Sequence, residues 1–154
     1  MKALTSARTR REVLVGAAGF AAIVALPAGP LLASGSEVDE LIKKVAGEKK
    51  VAEGRISLDL PNIAENGLVV PLNFDVESPM TAEDHVKAVH IFADGNPNPH
   101  VADYTFTPLS PKAAAQLRIR LAKTQTITAL AVMSNGEIFS TRKEVKVTIG
   151  GCGG

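Results

Sequence analysis

From residue 55 onward, apolar residues fall on every second position. Leu68, Val70, Leu72, Phe74 and Val76 form the longest run, with Val69, Pro71, Asn73 and Asp75 between them. Ile56, Leu58 and Leu60 repeat the pattern, as do Ala102, Tyr104 and Phe106, then Leu117, Ile119 and Leu121, then Val145, Val147 and Ile149. A period of two puts successive side chains on opposite faces of an extended chain, so each run describes a strand with one buried face. Turn formers separate the runs: Pro61, Asn66-Gly67, Ser78-Pro79, the cluster Asp94 to Pro99, Pro108, Pro111 and Asn135-Gly136. Val86–Ala93 and Thr126–Met133 are further strand-like stretches, and Glu137–Ser140 continues past the Asn-Gly hairpin signal. Seven or so short strands at regular spacing predict an all-β, immunoglobulin-like β-sandwich. The Cys…Trp…Cys core of antibody domains is absent, since the chain has one Cys and no Trp. Pro71 predicts an edge position or a bulge. Ala113–Ala122 reads either way, because its three alanines favour a helix as readily as a strand.

Ahead of the strands, Ser36 to about Lys50 reads as a short helix. Ser36 and Asp39 resemble a capping box, Val38, Leu41, Ile42 and Val45 share one face, and Gly47 with the lysines after it fits a helix end.

Residues 9–15 read Thr-Arg-Arg-Glu-Val-Leu-Val. The pair Arg10-Arg11 before an uncharged stretch from about Val13 to Leu32 is the pattern of a twin-arginine export signal. The apolar stretch has marginal length for a membrane span, and Gly16, Gly19, Pro27, Gly29 and Pro30 weaken it as a helix. Small residues at Ala28, Ala33 and Gly35 offer cleavage sites. The expected organisation is therefore a signal at 1–35, a sandwich at 36–149 and a terminal arm at 150–154, in the periplasm and free of the membrane after cleavage. The twin-arginine route takes cargo that folds or assembles before export. With no cofactor motif visible, a co-exported partner subunit is the expected reason for it.

Removing residues 1–35 takes away Lys2, Arg8, Arg10, Arg11 and Glu12 and turns the formal charge from +1 to −2. A mildly acidic domain without a basic patch excludes nucleic acid as the expected partner. The remaining stretch of about 119 residues suits one domain.

The one cysteine, Cys152, lies in Gly150-Gly151-Cys152-Gly153-Gly154, which holds four of the 13 glycines. Glycine runs resist a fixed conformation, so this thiol is expected to be exposed and mobile. Five extended residues reach roughly 16 Å. A thiol becomes thiolate when a cation, a histidine or a helix N-terminus stands beside it. Lys146 is the nearest base along the chain, and a terminal carboxylate lies two residues away. The expectation is an arm whose sulfur is loaded by another protein, with no catalysis by the chain itself. One cysteine closes no intramolecular disulfide and builds no thiolate metal site, and two following residues are too few for a prenylation box.

Other chemistries find little support. His85, His90 and His100 match no metal motif and read as satisfied or solvent-facing, and Asp84, Asp94 and Asp103 as turn and strand-edge residues. The sequence contains no phosphate loop and no Gly-x-Ser-x-Gly elbow. Arg118 and Arg120 are expected to point outward. No metal, cofactor or catalytic residue is expected.

The export signal, the small sandwich and the terminal Gly-Gly-Cys-Gly-Gly together resemble the SoxY family, sulfur carriers of the periplasmic thiosulfate-oxidising (Sox) system. The stretch from Val89 through Asp94-Gly95-Asn96-Pro97-Asn98-Pro99, then Val101 to Pro108, is similar to that family's central region. The resemblance implies a heterodimer with SoxZ, a second small sandwich without its own signal. It implies visits from the haem cytochrome SoxAX, which couples thiosulfate to the cysteine, from the metal-dependent hydrolase SoxB, and from a sulfane dehydrogenase. Cys152 carries over as the covalent sulfur carrier, and Gly150, Gly151, Gly153 and Gly154 as the flexible arm.

Two rivals stand beside this reading. Ubiquitin-like sulfur donors end in Gly-Gly and carry a thiocarboxylate, but they are cytoplasmic and need no cysteine. A non-catalytic periplasmic sandwich, binding or copper-handling, with a disulfide-linked tail, is the other.

Overall fold

The period-two runs become strands of two stacked sheets. The computed structural model describes residues 36–151. The expected export signal, with Arg10 and Arg11, and the tail residues Cys152, Gly153 and Gly154 lie outside the described residues. Helix α1 spans Ser36–Ala46, followed by β1 Val51–Glu53, β2 Ile56–Asp59, β3 Ile63–Asn66, β4 Val70–Val76, β5 Val86–Ala93, β6 His100–Thr105, β7 Ala113–Ile119, β8 Gln125–Met133 and β9 Ile138–Ile149. The larger sheet runs β1-β9-β8-β5-β6, with β3 also pairing β9. The smaller sheet runs β2-β4-β7.

The main core lies between the sheets. Leu72, Phe74 and Val76 of β4 meet Val89 and Ile91 of β5 and Ile127, Ala129 and Ala131 of β8. Tyr104 and Phe106 pack edge-on to Phe74, with ring centroids 5.1 and 6.3 Å away. The large sheet also buries its other face. There Phe92, Leu130 and Ile138 meet Val38 and Ala46, with Leu41, Ile42 and Val45 alongside, which is the apolar face expected of α1. Burial on both faces explains why β8 is buried almost throughout and runs apolar without alternation from Ala129 to Met133. Leu72 is fully buried. Leu72→Ala is expected to cost about 2–5 kcal/mol in denaturant unfolding, and a loss below about 1 kcal/mol would contradict this placement of the core.

Ala113–Ile119 is a strand, paired residue for residue with β4 from Val76↔Ala113 to Val70↔Ile119. Cross-strand pairing has overridden the helix preference of its alanines. Pro71 belongs to the middle strand of its sheet, but β2 ends at Asp59, opposite Asn73. On that side Pro71 has no strand partner, which leaves the kind of open position where a sheet tolerates proline. The hairpin at Asn135-Gly136 forms as expected. Gly136 takes φ 88°, and the Met133 amide donates to the Glu137 carbonyl at 2.9 Å.

Two strands escape the sequence pattern. β1 and β3 have three and four residues, and both pair in parallel with β9. β9 itself is one strand of 12 residues. Its first part pairs with β8 as far as Val145, and from Lys146 it pairs with β3. The strand that leads to the cysteine is thus anchored almost to its last residue.

Candidate functional site

The functional candidate is the point where β9 leaves the domain. Three backbone segments meet there: the turn after β3, the loop before β8, and Gly150-Gly151. The Gly67 amide donates to the Ile149 carbonyl at 2.8 Å. The Leu121 amide donates to the Gly67 carbonyl at 2.8 Å, and the Gly151 amide to the Leu121 carbonyl at 2.9 Å. The bonds close a clasp that runs Ile149, Gly67, Leu121, Gly151. Gly67, Leu121 and Gly151 are buried.

This packing gives the glycines a steric role beyond flexibility. A Cβ on Gly67 would run into the Leu121 carbonyl and come within 2.8 Å of the Gly151 nitrogen. One on Gly150 would run into the Ala122 carbonyl, and one on Gly151 would come within 2.8 Å of the Gly67 carbonyl oxygen. Only residues without a side chain let three backbones approach this closely. The structure thus places Gly150 and Gly151, the first two residues of the glycine run, against the domain.

Neighbouring polar groups shape both walls of the clasp. The Asn66 side-chain oxygen accepts from the Leu68 amide at 2.9 Å and folds the turn on itself. The turn cluster after β5 holds the other wall. Asn96 donates to the Arg120 carbonyl at 2.8 Å and accepts from the Ala122 amide at 3.0 Å and from Gln125 Nε2 at 2.9 Å. Gln125, itself buried, accepts from the Gly95 amide at 2.8 Å. The Asp94 carboxylate accepts from the Thr126 amide at 2.8 Å, and Thr124 Oγ1 from the Val147 amide at 2.9 Å. The Asp94-Gly95-Asn96 segment therefore fixes the 120–126 loop against which the glycines rest. Sequence reading took this segment as a turn cluster and as part of the stretch similar to the SoxY family's central region, and gave it no role at the site. Asn96 and Gly67 are the residues it missed, since their role lies in contacts 24 to 84 positions away along the chain.

The histidines sit elsewhere. His90 Nδ1 and His100 Nε2 both contact Asp103 Oδ1, at 2.6 and 2.9 Å, on neighbouring strands β5 and β6. Phe92 lies between them in sequence, with its ring 6.4 Å from His90 and 5.9 Å from His100. His85 stands apart, with Nδ1 3.0 Å from the Thr81 carbonyl. Among the described residues, no group of three His, Cys, Asp or Glu side chains is arranged to hold a metal ion. Burial pushes the Asp103 carboxyl up, but hydrogen bonds and charge from His100 and His90 outweigh it, and Asp103 titrates below the ordinary carboxylate range. A lowered folded-state pKa adds stability that is present above about pH 4, the unfolded value, and is lost as pH falls through the folded one. Asp103→Asn is therefore expected to lower stability near pH 6, with the gap from the parent closing as pH drops towards 3. An unfolding series across that range checks this, and a gap independent of pH would refute it.

Asp84 pairs with Arg55 at 3.4 Å, and Arg55 also lies 5.5 Å from the Phe139 ring centre. Arg118 and Arg120 are exposed, as expected. Hollows of about 570 and 580 Å³ lie on the outer face of the small sheet, around Asn73 and Lys112, and between α1 and β1, around Ile42 and Val51. Neither reaches the clasp.

Comparison with solved structures finds the sulfur carrier protein SoxY from Chlorobium limicola f thiosulfatophilum, at 31% identity and a TM-score of 0.63, covering 74% of this chain and 98% of that one. Superoxide reductases from Ignicoccus hospitalis and Nanoarchaeum equitans also match. Their identities are 18% and 14%, their TM-scores 0.54 and 0.52, and they cover 61% and 62% of this chain and 80% and 99% of theirs. At such identities they share the fold alone. A search of curated proteins finds no match. The family model "Sulfur oxidation protein SoxY" matches residues 42–152, from within α1 to the cysteine itself. With that match over most of the chain, and a SoxY of known structure alongside it, this protein belongs to the SoxY family of sulfur-oxidation carrier proteins.

Proposed function

We propose that the chain carries sulfur intermediates covalently on Cys152 and presents them to visiting enzymes, without catalysing a step itself. The observation that carries this reading is that the family match runs to Cys152, the residue directly after a Gly151 held in a backbone clasp. A thiol at such a position has a fixed root and, beyond it, a glycine on its far side. Arg10-Arg11 would direct the chain through the twin-arginine route to the periplasm, with SoxZ as the companion subunit of a heterodimer.

The chemistry of such a carrier balances as follows. The Cys152 thiol and the outer sulfur of thiosulfate join as Cys–S–S–SO3−, releasing one proton and two electrons, which the haem cytochrome SoxAX accepts. Water then attacks the terminal sulfone under the hydrolase SoxB. Sulfate and two protons leave, and Cys–S–S− remains for a sulfane dehydrogenase. The carrier contributes a nucleophilic sulfur and a place to hold it, while the electrons and the metal chemistry belong to the visitors.

Intact mass of the protein from periplasm of thiosulfate-oxidising cells, before and after a reductant, tests this reading. A population heavier by sulfur or thiosulfonate, which returns to the bare thiol on reduction, is the expected result. A bare thiol throughout would sink the proposal.

A further inference from the structure

Five large apolar side chains are exposed among the described residues, and three of them flank the clasp. Leu68 is 44% exposed, Val69 60% and Ile149 67%. Leu68 and Val69 directly follow Gly67, and Ile149 receives the Gly67 hydrogen bond. Singly exposed apolar residues are ordinary, but a cluster of them around one functional point marks an interaction surface. Exposed cations border it. Arg118 and Arg120 flank Ile119, which pairs with Val70, and Lys123 follows in the loop that holds Leu121. None of the three belongs to an ion pair of the described residues.

We propose that Leu68, Val69 and Ile149, with the cationic border of Arg118, Arg120 and Lys123, form the docking surface for the enzyme that loads Cys152, whose active-site mouth presents an apolar rim edged by acids. This inference rests on the carrier reading of Cys152. Chain geometry selects the occupant. Consecutive Cα atoms lie about 3.8 Å apart, so with the clasp closed Cys152 begins within that distance of Gly151. An enzyme that acts on the thiol must then bring its mouth down to the surface around Gly151, where these side chains are. The size of the patch selects a visitor over a permanent subunit or a second copy. Three aliphatic side chains fall well short of the roughly 800 Å² per partner that a stable interface buries. A short-lived contact steered by charge suits a carrier that must leave one enzyme for the next.

The test compares two ways of loading the sulfur, using the processed chain in complex with SoxZ. Purified SoxAX with thiosulfate loads it enzymatically. Tetrathionate loads it without an enzyme: the Cys152 thiolate attacks an inner sulfur, forms Cys–S–S–SO3− and expels thiosulfate. In the double variant Leu68→Asp, Val69→Asp, enzymatic loading is expected to slow at least tenfold, about 1.4 kcal/mol, with tetrathionate loading unchanged. Arg120→Glu is expected to slow it too, and added salt to narrow the gap between that variant and the parent. Arg120 is exposed, so its variant carries the test if the double variant unfolds. Enzymatic loading at the parental rate in the folded variants overturns the proposal. So does loss of the SoxZ complex in place of loss of loading, seen by sedimentation. A parent protein that takes no adduct from either source fails earlier, at the carrier reading itself.

Discussion

Cys152→Ser is expected to abolish thiosulfate-dependent loading and to drop thiosulfate oxidation by the reconstituted system to its level without the carrier. The effect is expected to be complete because the serine oxygen forms no sulfur–sulfur bond and Cys152 is the one cysteine of the sequence. On the sequence expectation of an exposed thiol, stability is expected to change by no more than about 0.5 kcal/mol. Loading measured by intact mass, with unfolding measured on the same samples, separates lost chemistry from lost fold. The ubiquitin-like rival predicts the opposite, since a thiocarboxylate carrier has no use for the thiol and its serine variant works normally. A variant that still takes up sulfur would move the carrying atom off Cys152.

Gly67→Ala carries the second largest effect, and it acts on the root of the arm rather than on its chemistry. The added methyl meets backbone on two sides, the Leu121 carbonyl and the Gly151 nitrogen, and neither can turn away as a side chain would. Overpacking of this kind costs about 1–3 kcal/mol. The strain falls on three hydrogen bonds, each worth about 0.5–1.5 kcal/mol, that tie Ile149, Gly67, Leu121 and Gly151 together. A lowered unfolding midpoint is expected, with faster amide exchange at Leu121 and Gly151 and little change at Val89 or Ile91 in the core. Unchanged exchange at Leu121 and Gly151 would show that the clasp does not hold the chain there. Gly47 offers the contrast. A Cβ there meets nothing within 4 Å, and its cost comes from φ 61° alone.

What could be read from the sequence divides along the range of the forces involved. Val86–Ala93 is found with the bounds its own residues suggested, and β4 follows its alternating run from Val70. Leu68 falls outside the strand although it fits the alternation, because Asn66 and Gly67 turn the chain and leave it exposed. β1 and β3 carry no periodic signal of their own, and they become strands through pairing with β9. The alanines of β7 were ambiguous for the same reason, since β4 decides their state. At the site, the cysteine and its glycines stood out by composition. The clasp did not, because it joins Gly67, Leu121 and Gly151 across the fold, and its supporting Asn96 bonds 24 to 29 positions away. A glycine run reads as freedom in a sequence. In the fold, Gly150 and Gly151 are also places where nothing larger fits against the neighbouring backbone.

If sulfur travels on Cys152, peptide-level mass spectrometry finds it there. Trypsin cleaves after Lys146 and frees the peptide that begins at Val147 and contains Cys152. After incubation with thiosulfate and the haem cytochrome, one thiosulfonate group is expected on that peptide, fragmenting from the cysteine and removed by a reductant. The same modification on any other peptide, or an unmodified Val147 peptide under conditions that oxidise thiosulfate, would contradict it.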